Sequence, residues 1–200
     1  DRSDVERALA MLEAAERPVV IAGSGVWWAR AEDELEQFIE RTSLPLYTIT
    51  MARGVISDEH PLCLGYADPA LNRAALGAFQ EADVFLVLGK RIDYRLALGG
   101  PRLFPPGARV IQVDIHPQEL GMNHRLEIGI SADARAALRA FLDALGARRW
   151  PPRPWLERVR MLRREWEDHL AQLARQAEPP MHPLALYAEL KRALPPEVLY

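Results

Sequence analysis

Polar or glycine residues follow three predicted buried strands of this 200-residue chain, at the point where each strand ends. Gly23–Gly25 comes after the first strand, Gly89–Asp93 follows a later one, and Asp114 comes directly after a β-branched run. Backbone N–H groups in a glycine turn and the forked donors of Arg91 suit a phosphate, whereas the Asp114 carboxylate suits a ribose hydroxyl or an adenine amine. Because ligands bind at the carboxyl ends of strands in open α/β sheets, this pattern predicts a nucleotide-type site.

Each of these residues also has a purely structural interpretation. The first glycines can form a tight strand-to-helix turn, and the dinucleotide fingerprint is incomplete because Trp28 occupies its third glycine position. Arg91 can form an ion pair with Asp93 or Glu81, and Gly54 can supply a left-handed turn. Asp114 can cap the turn at Pro117–Leu120, and Asp133 can cap the last helix of the domain.

Strands alternate with helical segments along most of the chain, which predicts a doubly wound α/β fold of Rossmann-like type. The expected sheet is mostly parallel, has helices on both faces, and contains five strands, or six if part of Arg95–Phe104 contributes. The predicted strands are Val19–Ala22, Leu46–Ile49, Val84–Leu88, Arg109–Ile115 and Leu126–Ile130. The first predicted helix begins at a capping box formed by Ser3 and Glu6. The other predicted helices are Arg30–Thr42, Pro69–Glu81 and Asp133–Leu145.

The last quarter of the chain differs in character. The α/β domain is expected to cover residues 1–146, and residues 147–179 to form a proline-rich linker and a long amphipathic helix with an apolar stripe at Trp155–Leu173. We expect this stripe to be poorly covered or to be buried by a second copy of the chain. Residues 180–200 contain the predicted helix Pro183–Leu194 and the start of a strand at Val198–Tyr200.

Several segments, taken in their order, resemble the central domain of thiamine-diphosphate-dependent enzymes of the acetolactate synthase group. In that family a strand ending in Asp-Ile-Asp-Pro precedes a Glu-Ile-Gly-x-Asn turn and a Gly-Asp helix start. Met-x-x-Gly and Gly-x-Arg-x-Asp segments come earlier in the domain. The corresponding residues here are Asp114–Pro117, Glu119–Asn123, Ala132–Asp133, Met51–Gly54 and Gly89–Asp93.

The resemblance implies a nucleotide site in this domain. Members of the family hold FAD, ADP or a coenzyme A moiety there, and others hold nothing. This chain departs from flavin-binding members at Leu64–Pro69, where they often carry Gly-Met-x-Gly, and at Ala132, which replaces a glycine. The residues assigned to a FAD- or ADP-type nucleotide are Gly23, Ser24, Gly25, Met51, Arg53, Gly54, Gly89, Arg91, Asp93, Asp114, Ile115, Asn123 and Asp133.

The resemblance also implies the activity of a longer parent enzyme. Such an enzyme uses thiamine diphosphate and Mg²⁺ to decarboxylate a 2-oxo acid and pass the carbanion to an acceptor, and a 2-hydroxyacyl- or oxalyl-coenzyme A lyase is a second option. The Gly-Asp-Gly motif that holds thiamine diphosphate does not occur in this chain. No catalytic residue is therefore assigned, the isolated chain is expected to be inactive, and residues 180–200 are interpreted as the truncated start of the thiamine-diphosphate-binding domain.

Two other classes of protein stay open at this point. One is a purely structural domain with an empty crevice, and the other is a free-standing nucleotide-binding domain such as a Rossmann-type oxidoreductase. The missing third glycine argues against the latter.

The composition excludes further classes of function. A net charge of −3 gives no field that would attract nucleic acid, and no apolar run approaches the roughly 20 residues that cross a bilayer. One cysteine, Cys63, rules out an internal disulfide framework and predicts a reducing cytoplasm. The scattered histidines predict no metal site. The expected partners are other domains of the same chain and further copies in a homo-oligomer, either a dimer or a tetramer.

Overall fold

Six parallel strands form one sheet in the computed structural model, which describes residues 1–175 and 180–195. The strands are β1 (Pro18–Ala22), β2 (Leu46–Thr48), β3 (Cys63–Tyr66), β4 (Val84–Leu88), β5 (Arg109–Asp114) and β6 (Ile128–Ser131). Their order across the sheet is β3-β2-β1-β4-β5-β6. The chain winds outward from β1 in one direction and from β4 in the other, which confirms the doubly wound α/β prediction.

The sixth strand is β3, so the expectation that Arg95–Phe104 would supply it is wrong. That segment instead holds most of a 3-10 turn at Tyr94–Gly99, in which Ala97 and Leu98 have positive φ. β3 was not predicted because it has only four residues, one of which is Gly65, and because its pairing with β2 shifts register.

The described part of the chain contains seven helices. They are α1 (Arg2–Ala14), α2 (Ser24–Trp28), α3 (Glu32–Thr42), α4 (Arg73–Glu81), α5 (Ala134–Leu145), α6 (Pro154–Ala174) and α7 (Pro183–Ala193). α5 packs against α1 and α3, while α4 packs against α6. None of these helices is long and apolar enough to cross a membrane.

Aromatic residues fill the core between the sheet and its helices. All five residues of β1 and of β4 are buried, as expected for central parallel strands covered on both faces. Phe38 of α3 and Phe141 of α5 lie with ring centroids 5.5 Å apart. The Phe79 ring on α4 lies edge-on to the rings of Tyr47 on β2 and Phe85 on β4, so α4 contacts strands on both sides of β1.

Side-chain caps fix where α1 and α5 begin. α1 begins two residues earlier than predicted, because its cap is Asp1 instead of Ser3 and the Asp1 side chain accepts from the Ser3 N–H (3.1 Å). The predicted capping role of Ser3 is therefore wrong. Asp133 caps α5 by accepting from the N–H groups of Arg135 and Ala136, as its structural interpretation predicted.

The first two turns of α6 belong to the same core as the sheet. Trp155, Leu156 and Val159 are buried, and the Trp155 indole Nε1–H donates to the Pro18 carbonyl oxygen (3.0 Å). This part of the predicted apolar stripe is thus covered by the α/β domain, and not by a second copy of the chain. α7 packs against α6. The strand predicted at Val198–Tyr200 lies outside the described residues.

Candidate functional site

A crevice of about 840 Å³ opens at the carboxyl ends of β1, β4 and β5. β1 and β4 are neighbours whose chain connections run to opposite sides of the sheet, which is the position where open α/β sheets bind ligands. The volume lies within the range of small-molecule pockets. Eight of the thirteen predicted site residues line it: Ser24, Gly25, Gly89, Arg91, Asp93, Asp114, Ile115 and Asp133.

The glycines at the base of the crevice allow two chain segments to approach closely. A Cβ on Gly25 would lie 2.6 Å from the Gly89 Cα, and one on Gly23 would lie 2.5 Å from the Lys90 Cβ. The Gly25 N–H donates to the Gly89 carbonyl oxygen, and the Gly23 N–H donates to the Leu88 carbonyl oxygen (both 2.9 Å). Since both amides are satisfied within the protein, the structure favours the tight-turn interpretation over phosphate binding by these two N–H groups.

The two cationic side chains of the crevice already have acidic partners. Lys90 is buried, and its Nζ forms an ion pair with Asp93. Burial lowers the pKa of Lys90, and the hydrogen bond and charge of Asp93 oppose that shift. Arg91 is mostly exposed and lies 3.5 Å (Nη1 to Oε1) from Glu119, rather than pairing with Asp93 or Glu81 as its structural interpretation proposed. Arg91 is therefore the lining cation that an anionic ligand can reach.

Asp114 and Ile115 form the wall at the end of β5. Asp114 is buried, and its Oδ1 accepts from the His116 N–H (2.9 Å), which holds the chain in a tight turn before Pro117. The Ile115 side chain is 59% exposed, which is unusual for an isoleucine beside a buried strand. The carboxylate thus has one structural contact and also faces the crevice.

Four predicted site residues lie outside the crevice, and Gly23 lies at its base without lining it. Arg53 forms an ion pair with Asp58 (3.1 Å). Gly54 has a φ of +86° with open space around it, as its structural interpretation as a left-handed turn predicted. Asn123 donates through Nδ2 to the Ile92 carbonyl oxygen (2.9 Å), and Met51 is exposed on the 3-10 turn Thr50–Ala52.

Trp28 and Thr50 line the crevice although the sequence pattern assigned neither to the site. The hydroxyls of Ser24 and Thr50 are hydrogen-bonded to each other at 2.7 Å, and the Thr50 hydroxyl also donates to the Ile49 carbonyl oxygen (2.6 Å). Thr50 has a φ of +58°, a backbone conformation that β-branched residues rarely adopt. The glycine pattern treats Trp28 only as a missing glycine. The signal that could have identified it is the adjacent pair of tryptophans directly after the turn, which is visible in the sequence.

Carboxylates outnumber cations around the crevice. Two cations, Lys90 and Arg91, line the crevice together with four carboxylates: Asp93, Asp114, Glu119 and Asp133. Asp93 is already paired with the buried Lys90. This balance suits a ligand that donates hydrogen bonds from hydroxyl or amino groups, and it leaves Arg91 to contact any phosphate group of that ligand.

A separate cluster brings Glu36, Glu40 and His60 together, with one ligand atom of each within 4.8 Å of the others. The sequence does not reveal this grouping because α3 and the loop before β3 are distant along the chain. The His60 Nδ1 accepts from the Leu62 N–H (3.2 Å), so the neutral ring carries its proton on Nε2, which faces Glu40 at 3.6 Å. That tautomer has no lone pair to offer a metal at Nε2, so we interpret the cluster as a structural contact that closes the loop.

Comparisons with known proteins agree with the doubly wound α/β fold. The family model described as the central domain of thiamine pyrophosphate enzymes matches residues 5–141. The chain is 37% identical over 161 residues to a probable acetolactate synthase large subunit of Methanocaldococcus jannaschii, covering 80% of this chain and 27% of that protein. It is 30% identical to 2-hydroxyacyl-CoA lyase 1 of Mus musculus (98% and 33% covered) and 29% identical to a pyruvate oxidase of Lactiplantibacillus plantarum (100% and 32% covered). The chain thus spans about a quarter to a third of the length of these relatives.

Proposed function

Because this chain belongs to the family of thiamine pyrophosphate enzymes, whose central domain it matches, we propose that it forms that domain in a longer enzyme of the acetolactate synthase type. In the proposed reaction a 2-oxo acid loses CO₂, and the remaining acyl carbanion equivalent joins an acceptor carbonyl. Thiamine diphosphate with Mg²⁺ would supply the electron sink for that carbanion, bound outside this chain. The 37% identity to an acetolactate synthase, against 30% to a lyase and 29% to an oxidase, supports this choice.

The described residues support a scaffolding role for this domain rather than a catalytic one. Lys90, the buried amine at the crevice, is bound by Asp93. Cys63 is also buried, and burial raises the pKa of its thiol, so it is a poor nucleophile. We therefore propose that the isolated chain is inactive.

The parent activity can be tested with the full-length protein that contains this chain. We expect it to release CO₂ from pyruvate and form acetolactate when thiamine diphosphate and Mg²⁺ are supplied, and we expect the isolated 200-residue chain to do neither. The measurement is CO₂ release together with product identification by mass spectrometry. Cleavage of a 2-hydroxyacyl-coenzyme A thioester without turnover of pyruvate would contradict the synthase proposal and support the lyase, to which the chain is 30% identical.

We further propose that the crevice binds an adenine nucleotide of the FAD or ADP type. Its position at the switch between β1 and β4, its volume and its polar lining support this proposal. The residues fit the sugar end of such a ligand best, since the Asp114 carboxylate can accept from ribose hydroxyls. Arg91 would contact a phosphate in place of Glu119, to which it is only loosely paired.

Nucleotide binding can be measured by calorimetry and thermal shift with ADP and FAD. Arg91→Ala is expected to weaken binding roughly tenfold, and Glu119→Gln to strengthen it, because one removes the phosphate contact and the other its competitor. Arg53→Ala is the matched control, since that predicted site residue lies outside the crevice. A native-state ligand at a hundredfold excess over Kd should add about 2.7 kcal/mol to the free energy of unfolding.

The second candidate is a purely structural domain whose crevice binds nothing. The satisfied amides of Gly23 and Gly25 and the paired cations Lys90 and Arg91 favour it. Absence of any thermal shift with both nucleotides would support this candidate and contradict the nucleotide site.

We also propose that α7 is the first element of the following domain. The family model ends at residue 141, whereas the matches to the lyase and the oxidase cover 98% and 100% of this chain. Leu186 and Tyr187 are more than half exposed on α7, as expected if further chain covers them. Homo-oligomeric assembly and a cytoplasmic location stay predictions.

A further inference from the structure

Trp28 presents an uncovered aromatic ring to the crevice. Its side chain is 69% exposed although it lines the wall, whereas Trp150 and Trp155 are buried in the core. An indole of this size buries a large apolar area when it is covered, so its exposure here leaves a substantial contact surface free.

Trp27 and the anchoring of α2 restrict the orientation of this ring. Trp27 packs edge-on against it with ring centroids 4.7 Å apart. α2, which carries both tryptophans, is anchored by the close approach of Gly25 to Gly89 and by the hydroxyl contact between Ser24 and Thr50. A ring that is already oriented loses little conformational entropy when a ligand packs on it.

The same crevice offers an aliphatic surface and separate polar groups. Ile115 is 59% exposed and lines the crevice with Trp28, while Asp114 and Arg91 supply the polar contacts described above. A flat aromatic surface and an exposed aliphatic side chain suit a planar heteroaromatic ring, because the π-face of any base stacks on an indole.

We propose that Trp28 is the residue that binds the base of the crevice ligand and selects for a heteroaromatic ring. This inference rests on the proposed nucleotide site and adds to it the surface that the base contacts. Arg91 then recognises phosphate, Asp114 recognises ribose, and Trp28 recognises the base.

The test compares a ligand that carries the ring with one that lacks it. For Trp28→Ala we expect the Kd for ADP to rise roughly ten- to hundredfold, and for Trp28→Phe we expect a rise below about fivefold. The Kd for ribose 5-phosphate should be the same in all three proteins, because that probe has no base. Trp166→Phe is the matched control, since this half-buried tryptophan lies on α6 and does not line the crevice. Melting temperatures of all variants report whether the fold is retained.

The outcomes separate the two proposals. If the wild-type chain binds neither ADP nor FAD, the nucleotide site is wrong and the role of Trp28 is wrong with it. If the wild-type chain binds ADP and Trp28→Ala binds it equally well, the nucleotide site stands and the role of Trp28 alone is overturned. An equal loss of ADP and ribose 5-phosphate binding in Trp28→Ala would also overturn it, because the residue would then act on the shape of the crevice.

Discussion

Replacing Gly89 by alanine is expected to lower the free energy of unfolding by at least about 3 kcal/mol. Two costs add at this position. Gly89 has a φ of +57°, in the region that L side chains rarely adopt, and a Cβ there would lie 2.6 Å from the Gly25 Cα. The contact is with backbone atoms, so no side-chain rotation can relieve it, and the ends of β1 and β4 would have to separate. Urea unfolding of the wild-type and variant chains measures the loss.

Two further glycine variants separate the steric cost from the conformational one. Gly54→Ala keeps the positive φ but meets no atom within 4 Å, so it should cost about 1–2 kcal/mol. Gly25→Ala places its Cβ 2.6 Å from the Gly89 Cα without a positive φ, and crowding of this kind typically costs about 1–3 kcal/mol. Equal losses in Gly89→Ala and Gly54→Ala would contradict the close approach, since only the shared backbone conformation would then matter.

The distribution of apolar residues is sufficient to predict most of the sheet. β1, β4 and β5 are continuous buried runs, and runs of this kind indicate central parallel strands without ambiguity about which face is covered. β3 could not be found in this way. It lies at the edge of the sheet, contains Gly65 and has only two fully buried residues, so its pattern is that of a loop.

The candidate site, too, could be predicted only in part from the sequence. That Ser24, Arg91 and Asp114 lie at one edge follows from their positions at strand ends, since parallel strands bring all their carboxyl ends together. The residue that each side chain contacts cannot be predicted from these positions. Arg91, in the connection after β4, pairs with Glu119, in the connection after β5. Which of the nearby acids Arg91 contacts therefore depends on the turn after β5. Asn123 matches the family motif, yet it serves to hold that turn to the Ile92 carbonyl.

Replacing Trp155 by alanine is expected to lower the free energy of unfolding by about 4 kcal/mol, measured by urea denaturation. The reason is that α6 completes the core of the α/β domain although it follows a proline-rich segment. The Trp155 ring is buried, and its Nε1–H satisfies the carbonyl of Pro18 at the start of β1. Truncation therefore leaves a cavity and an unpaired carbonyl beneath a central strand. Trp155→Phe keeps most of the apolar contact and loses only the hydrogen bond, so it should cost about 1–2 kcal/mol.

Trp166 provides the matched control on the same helix. Its ring is half-buried, stacks on His169 at 5.3 Å and lies under Arg73, so Trp166→Ala should cost about 1 kcal/mol or less. A large difference between the two tryptophans would show that the domain extends structurally to Val159, beyond the boundary that its composition suggests at residue 146. Equal and small losses would instead mean that residues 147–179 unfold separately, as a linker. The first outcome follows from the packing, because Trp150, Trp155 and Val159 share one core with β1 and β4.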